Sequence, residues 1–159
     1  PLPEAQLDRF LFKLNVRFPA KEELKEIVNL TVNRQEATLS PVMTADDILR
    51  IRQVIYDMPI ADAVMDYAMN LVYNTHPELK DVPDITKKYV SNGASPRAAQ
   101  AIVKTAKARA LMEHRFNVSF EDIQYVAFPV LRHRMICNFE ALSDNMTPDK
   151  IIAQLLQQQ

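Results

Sequence analysis

The chain marks its own helix boundaries, and this limits its fold more than any other feature. Pro19 is followed by Lys21, Glu22 and Glu23, then by Leu24, Ile27, Val28 and Thr31 at helical spacing. The carboxylates fall in the first turn, where they suit the helix macrodipole. Thr44 precedes Asp46 and Asp47 as a second cap, and Ile48, Ile51, Ile55 and Met58 form the stripe behind it until Pro59 breaks the run. A third helix carries Ile60, Val64, Tyr67, Ala68, Leu71 and Val72 and ends near His76-Pro77. Ser95-Pro96-Arg97 opens the strongest helix, with proline at the first helical position and six alanines, Ala98, Ala99, Ala101, Ala106, Ala108 and Ala110, behind it. Ser119 with Asp122 resembles a capping box ahead of Ile123, Val126, Ala127, Val130 and Leu131, in which Pro129 is expected to kink or shorten the helix. Thr147-Pro148-Asp149 starts a last helix with Ile151, Ile152, Leu155 and Leu156.

Six helices are therefore expected, with loop and turn between Pro77 and Ala94. One segment reads differently. Phe10, Phe12, Leu14, Val16 and Phe18 alternate with Leu11, Lys13, Asn15 and Arg17, the pattern of a strand with one buried face. A single strand makes no sheet. The expected class is all-α, a helical bundle with a short N-terminal strand that belongs to something else.

The 159 residues include one glycine, Gly93, and one cysteine, Cys137. A phosphate-cradling loop needs several glycines close together, so none can be drawn. Cys137 allows no internal disulfide, and His76, His114 and His133 lie too far apart for metal-ligand spacing. No metal site is expected. With 19 basic and 20 acidic residues the balance argues against general nucleic-acid binding. No apolar stretch approaches the ~20 residues of a membrane span, and no signal peptide is legible. The chain begins at Pro1 inside what reads as an element, so it is expected to be a piece of a longer, cytoplasmic protein.

Three basic positions are candidates for chemistry. Arg9 follows Asp8 just before the alternating segment. Such a pair is commonly a solvated surface pair, and the sharper alternative is a guanidinium offered to a phosphate on a neighbouring molecule. Arg97 sits in the first turn of a capped helix, where free N–H groups and the dipole favour an anion. A cation there is either an ordinary exposed arginine or a sign of a phosphate nearby. Arg132-His133-Arg134 reads as a basic patch or as the cations expected at a helix C-terminus, and Lys104, Lys107 and Arg109 as a solvated face.

Leu2-Pro3-Glu4-Ala5-Gln6-Leu7-Asp8-Arg9-Phe10 closely resembles the arginine-finger region of MoxR-family AAA+ ATPases. Gly93-Ala94-Ser95-Pro96-Arg97-Ala98 resembles their sensor 2 motif. Ala106 to Leu111, Val118, Glu121-Asp122 and Val130 to Arg134 continue in register, so the resemblance spans nearly the whole chain.

The resemblance implies the C-terminal part of such an ATPase: residues 1–18 as the end of the α/β core and residues 19–159 as a helical lid. It implies Arg9 as an arginine finger acting in trans and Arg97 as the sensor 2 arginine, contacting the ATP that the intact protein binds together with Mg. The P-loop, Walker B carboxylates and sensor 1 precede Pro1 in the family. This sequence lacks them, so it is expected to bind no cofactor and hydrolyse no ATP alone. A hexameric homo-oligomeric ring, an unidentified client protein and a chaperone-like role are further implications. Two helices lie between those at Glu22 and Pro96, more than an ordinary lid carries there, and the resemblance implies an extra helix that marks this branch of the family and can relocate the lid. The rival readings are an autonomous helical protein-interaction module and a helix-turn-helix nucleic-acid binder using Arg132 and Arg134.

Overall fold

The computed structural model describes residues 2–32 and 39–158. Pro1 and Gln159, the outer ends of the two expected segments, lie outside them. In chain order the elements are α1 (Glu4–Leu7), α2 (Lys21–Val32), α3 (Ala45–Asp57), α4 (Asp62–Tyr73), α5 (Asp84–Tyr89), β1 (Val90–Asn92), α6 (Pro96–Met112), α7 (Phe120–Leu131), β2 (Ile136–Cys137), α8 (Phe139–Ser143) and α9 (Pro148–Gln157). All six expected helices are present. The caps read from sequence are partly made. Asp47 N–H donates to Thr44 Oγ1 at 3.2 Å while Thr44 N–H donates to the Asp47 carboxylate at 2.9 Å. Lys150 N–H donates to Thr147 Oγ1 at 3.3 Å.

The core lies among α4, α6, α7 and α9. Leu71, Ile102, Ile123, Val130, Leu131, Ile151, Ile152 and Leu155 are fully buried. The alanines of α6 serve close packing as expected: Ala98, Ala101, Ala106 and Ala110 all face the core, and α6 packs most extensively against α7. By contrast α2 buries none of its residues and α3 none completely.

Three expectations are corrected. The first is the strand over Phe10 to Phe18, which pairs with no sheet. Its main-chain tie is Lys13 N–H to the Pro129 carbonyl at 2.9 Å, and Leu14, Val16 and Phe18 stay exposed. The alternation describes a sheet neighbour that these residues do not include. The second is the loop from Pro77 to Ala94, which contains α5 and β1. There β1 pairs antiparallel with β2, Val90 opposite Cys137 and Asn92 opposite Ile136, with an irregularity between them. Short elements of this kind carry too little periodicity to read. The third is the early end considered at Pro129, which sits inside α7 while the helix runs on to Leu131.

The loop that leads into α6 is built tightly. Buried Thr75 donates its hydroxyl to the Val72 carbonyl at 2.7 Å and accepts Ala94 N–H at 2.9 Å. The His76 ring bridges the Glu78 carboxylate at 2.8 Å and the Ala94 carbonyl at 3.0 Å. Gly93 lies against that ring, and a Cβ there would stand 2.6 Å from His76 Cγ. Gly93→Ala must therefore displace His76 and its two bonds. The expected destabilisation is about 1–2 kcal/mol, read as a lowered thermal midpoint. Removing the ring in Gly93→Ala/His76→Ala should make the glycine change nearly neutral. An equal loss from Gly93→Ala in both backgrounds would show the clash to be irrelevant.

Candidate functional site

The candidate site forms where residues 8–13 cross the N-terminus of α6 and the C-terminus of α7. At its centre is the Asp8 carboxylate, whose side chain is only 16% exposed. Ser95 Oγ donates to its two oxygens at 2.8 and 2.9 Å, Arg97 Nη1 donates at 3.0 Å, and Arg134 Nε donates at 3.2 Å. The solvated Asp8–Arg9 pair is thus replaced by a different arrangement, because Asp8 turns inward and Arg9 does not. Burial alone would push the Asp8 pKa up, but the bonds from Arg97 and Ser95 and the charge of Arg134 outweigh it and hold the carboxyl below its ordinary value. Ser95 is the N-cap residue of α6 but makes no side-chain cap bond, because its hydroxyl goes to Asp8.

Arg134 is the structural anchor. Its side chain is 3% exposed, and its guanidinium also donates to the carbonyls of Asp8 (3.1 Å), Phe10 (2.6 Å), Leu11 (3.2 Å) and Val130 (2.5 Å). Its neighbours act on the same segment. His133 Nε2 bonds the Phe10 carbonyl at 2.9 Å, and Arg132 Nη1 donates to the Lys13 carbonyl at 3.1 Å while its fork holds Asp149 at 3.0 and 3.1 Å. Burial pushes the His133 pKa below its ordinary value, which favours the neutral ring as a donor from Nε2. So Arg132-His133-Arg134 is not a free basic patch. These residues strap the segment bearing Arg9 to the helical body through its main chain.

Of the two arginines singled out from sequence, Arg9 is exposed and its guanidinium meets no partner among the described residues. Arg97 is 58% exposed and among the described residues is bonded through Nη1 alone, which leaves the rest of its fork open to them. The structure connects them through Asp8, which precedes Arg9 in the chain and binds Arg97 in space. Asp8, Ser95 and Arg134 were missed as partners because 87 to 126 residues separate the bonded groups. No spacing rule reaches that far. Arg109 is likewise removed from the solvated face, since it pairs with buried Asp122 at 2.6 Å and lies over the Tyr125 ring. Among the described residues no group of three or more His, Cys, Asp or Glu could hold a metal ion, and no helix is long and apolar enough to cross a membrane.

Residues 83–155 match the family model of the AAA lid domain, which covers α5 to α9 and includes Arg97 and Arg134. The body that carries the site is therefore the helical lid of an AAA+ protein. Over its length the chain is 38% identical to the chaperone MoxR1 of Mycobacterium tuberculosis (strain ATCC 25618 / H37Rv), covering 99% of this chain and 41% of that one. It is 34% identical to the uncharacterized protein YeaC of Bacillus subtilis (strain 168), covering 98% and 46%. The crystal structure of a proposed ATPase from Cytophaga hutchinsonii ATCC 33406 superposes with a TM-score of 0.88 at 33% identity, over 99% of this chain and 48% of that one. Over nearly its whole length the chain is thus similar to the C-terminal part of MoxR-family AAA+ proteins, with an AAA lid domain at residues 83–155. It spans less than half the length of the curated relatives it matches.

Proposed function

We propose that this chain is the lid and arginine-finger segment of an ATPase that assembles into a hexameric cytoplasmic ring and couples ATP hydrolysis to the remodelling or maturation of a client protein. Residues 1–18 close the α/β core and residues 19–159 form the lid. The carrying observation is the placement of the two arginines. Arg97 stands in the first turn of α6 with most of its fork open. Arg9 projects, unpartnered among the described residues, from a segment that three consecutive side chains strap to the same body.

The chain fits a nucleotide in part. Two exposed guanidiniums suit phosphate oxygens, because arginine stays charged and presents a planar fork. A glycine-rich phosphate cradle must come from elsewhere, since Gly93 is the sole glycine. When bound, Mg-ATP supplies the phosphoanhydride that is hydrolysed. The chain's own contributions are electrostatic. Arg97 holds a phosphate oxygen at the positive end of α6, where the helix dipole adds to its charge. Arg9 presents charge to the nucleotide of the adjacent subunit, where negative charge develops in the transition state.

Arg97→Ala in the intact protein tests the first contribution. A charge-assisted hydrogen bond to phosphate contributes about 1.5–3 kcal/mol, so kcat/KM for ATP should fall about 10- to 100-fold. Unchanged steady-state kinetics in a folded, assembled variant would remove Arg97 from the site.

A further inference from the structure

Asp8 is bonded more heavily than a carboxylate needs to be if its task is only to neutralise buried Arg134. It takes Ser95 and Arg97 as well, both at the entry to α6. Ser95 leaves its own helix uncapped by its side chain to reach it. Arg97 commits one nitrogen, Nη1, and leaves Nη2 and Nε unbonded among the described residues. A guanidinium can hold one carboxylate by one edge and a phosphate by the other. The next residue in the chain after Asp8 is Arg9, whose backbone N–H closes a turn on Gln6 at 3.2 Å. A covalent bond and a short turn thus connect the group that Arg97 grips to the group that Arg9 presents.

We infer that Asp8 is a positioning residue that makes the placement of Arg9 depend on the engagement of Arg97. The inference rests on the finger and lid-arginine reading above. Arg97 keeps Asp8 by one edge while its open edge meets the phosphate of its own subunit. The entry of α6 and the Arg9 segment then move as one body, with Arg134 fixing that body to the lid through the Asp8 and Phe10 carbonyls. The state of one subunit's nucleotide is carried in this way to the guanidinium aimed at the neighbour. Asp8 touches no reacting atom in this scheme.

The test uses the intact protein. Asp8→Asn keeps the shape and removes the charge. Turnover should fall about tenfold with KM for ATP changed less than about twofold, and Asp8→Glu should restore part of the loss. Arg97→Ala already breaks the link, so Asp8→Asn added to Arg97→Ala should cost little more. A purely structural Asp8 would instead make the two losses multiply, and that outcome overturns the inference, as does wild-type turnover in folded Asp8→Asn. Where Asp8→Asn does not fold, Ser95→Ala replaces it. It leaves every charge in place and should show the same non-additivity with Arg97→Ala, and multiplicative losses there overturn the inference equally. Arg9→Ala run alongside separates the two failures. If Arg9→Ala turns over normally, the finger reading fails and the coupling with it. If Arg9→Ala is deficient while Asp8→Asn is normal, only the coupling fails.

Discussion

Arg9→Ala in the intact protein is expected to leave ATP binding nearly unchanged and to lower turnover about 10³-fold, the lower end of what arginine fingers contribute in GTPases. The reason is differential: the guanidinium is needed where charge develops in the transition state, more than in the bound ground state. The structure makes the experiment clean, because the Arg9 side chain is exposed and bonds no described residue. Truncating it leaves no group unsatisfied among the described residues, so a loss of turnover does not follow from a contact broken there. Mixing experiments establish the direction of action. Subunits carrying Arg9→Ala but a competent P-loop are combined with subunits that lack the P-loop lysine and keep Arg9. If Arg9 acts across the interface, mixed rings regain activity. With co-assembly verified independently, an absence of recovery would end the arginine-finger assignment.

Four of the helices were legible because each begins with a residue suited to a helix start. Thr44, Ser95, Ser119 and Thr147 all stand at N-cap positions. The core was legible from the 3.6-residue stripes of α4, α6, α7 and α9, and the alanines of α6 correctly signalled close packing, whereas the equally regular stripe of α2 stays exposed. Reading failed where local pattern and tertiary partner part company. The alternation from Phe10 to Phe18 is a true property of the sequence, but it refers to surface that these residues do not pair with here. Lys88 and Tyr89 close α5 without a periodic stripe, and both bond the carboxylate of distant Asp144. At the site Arg97 could be nominated because a cation at a helix entry is conspicuous, and Arg9 because the segment around it resembles a family motif. Their wiring could not. Asp8 looked like half of a surface pair with Arg9, and Arg132-His133-Arg134 looked like the end of a helix. Only folding shows that these two ordinary signals are the two sides of one strap.

The largest stability effect is expected at Asp122, which is fully buried and holds two cations. Arg115 donates to it at 2.7 and 2.6 Å, Arg109 at 2.6 Å, and Ser119 through its N–H at 2.9 Å and its hydroxyl at 3.0 Å. The carboxylate thereby joins the C-terminal end of α6 to the start of α7, the most extensive helix contact of the lid. Asp122→Asn keeps the volume but removes the charge, and with Oδ1 kept for both arginines it puts an NH2 donor where Oδ2 accepts from Arg115 Nη1 and from Ser119. Breaking a buried charge pair costs about 3–5 kcal/mol. Here Arg109 and Arg115 are 23% and 34% exposed and recover water when released. A cost of about 2–3 kcal/mol is therefore expected, a fall of roughly 5–10 °C in Tm for a chain of this size. The pH dependence identifies the cause. Burial raises the Asp122 pKa, but the bonds from Arg115, Ser119 and Arg109 outweigh it and place the folded carboxyl far below the usual carboxylate range. A folded pKa below the unfolded one means that the unfolded chain binds more protons in acid. The contribution is then complete above about pH 5 and lost progressively as pH falls through the unfolded value and on toward the folded one. Asp122→Asn has no such group to titrate, so the gap between wild type and variant in thermal melts should narrow below about pH 4. A gap that stays constant from pH 7 to pH 2 would show that the loss comes from packing or the amide's geometry, and that the charge of Asp122 contributes nothing to holding α6 against α7.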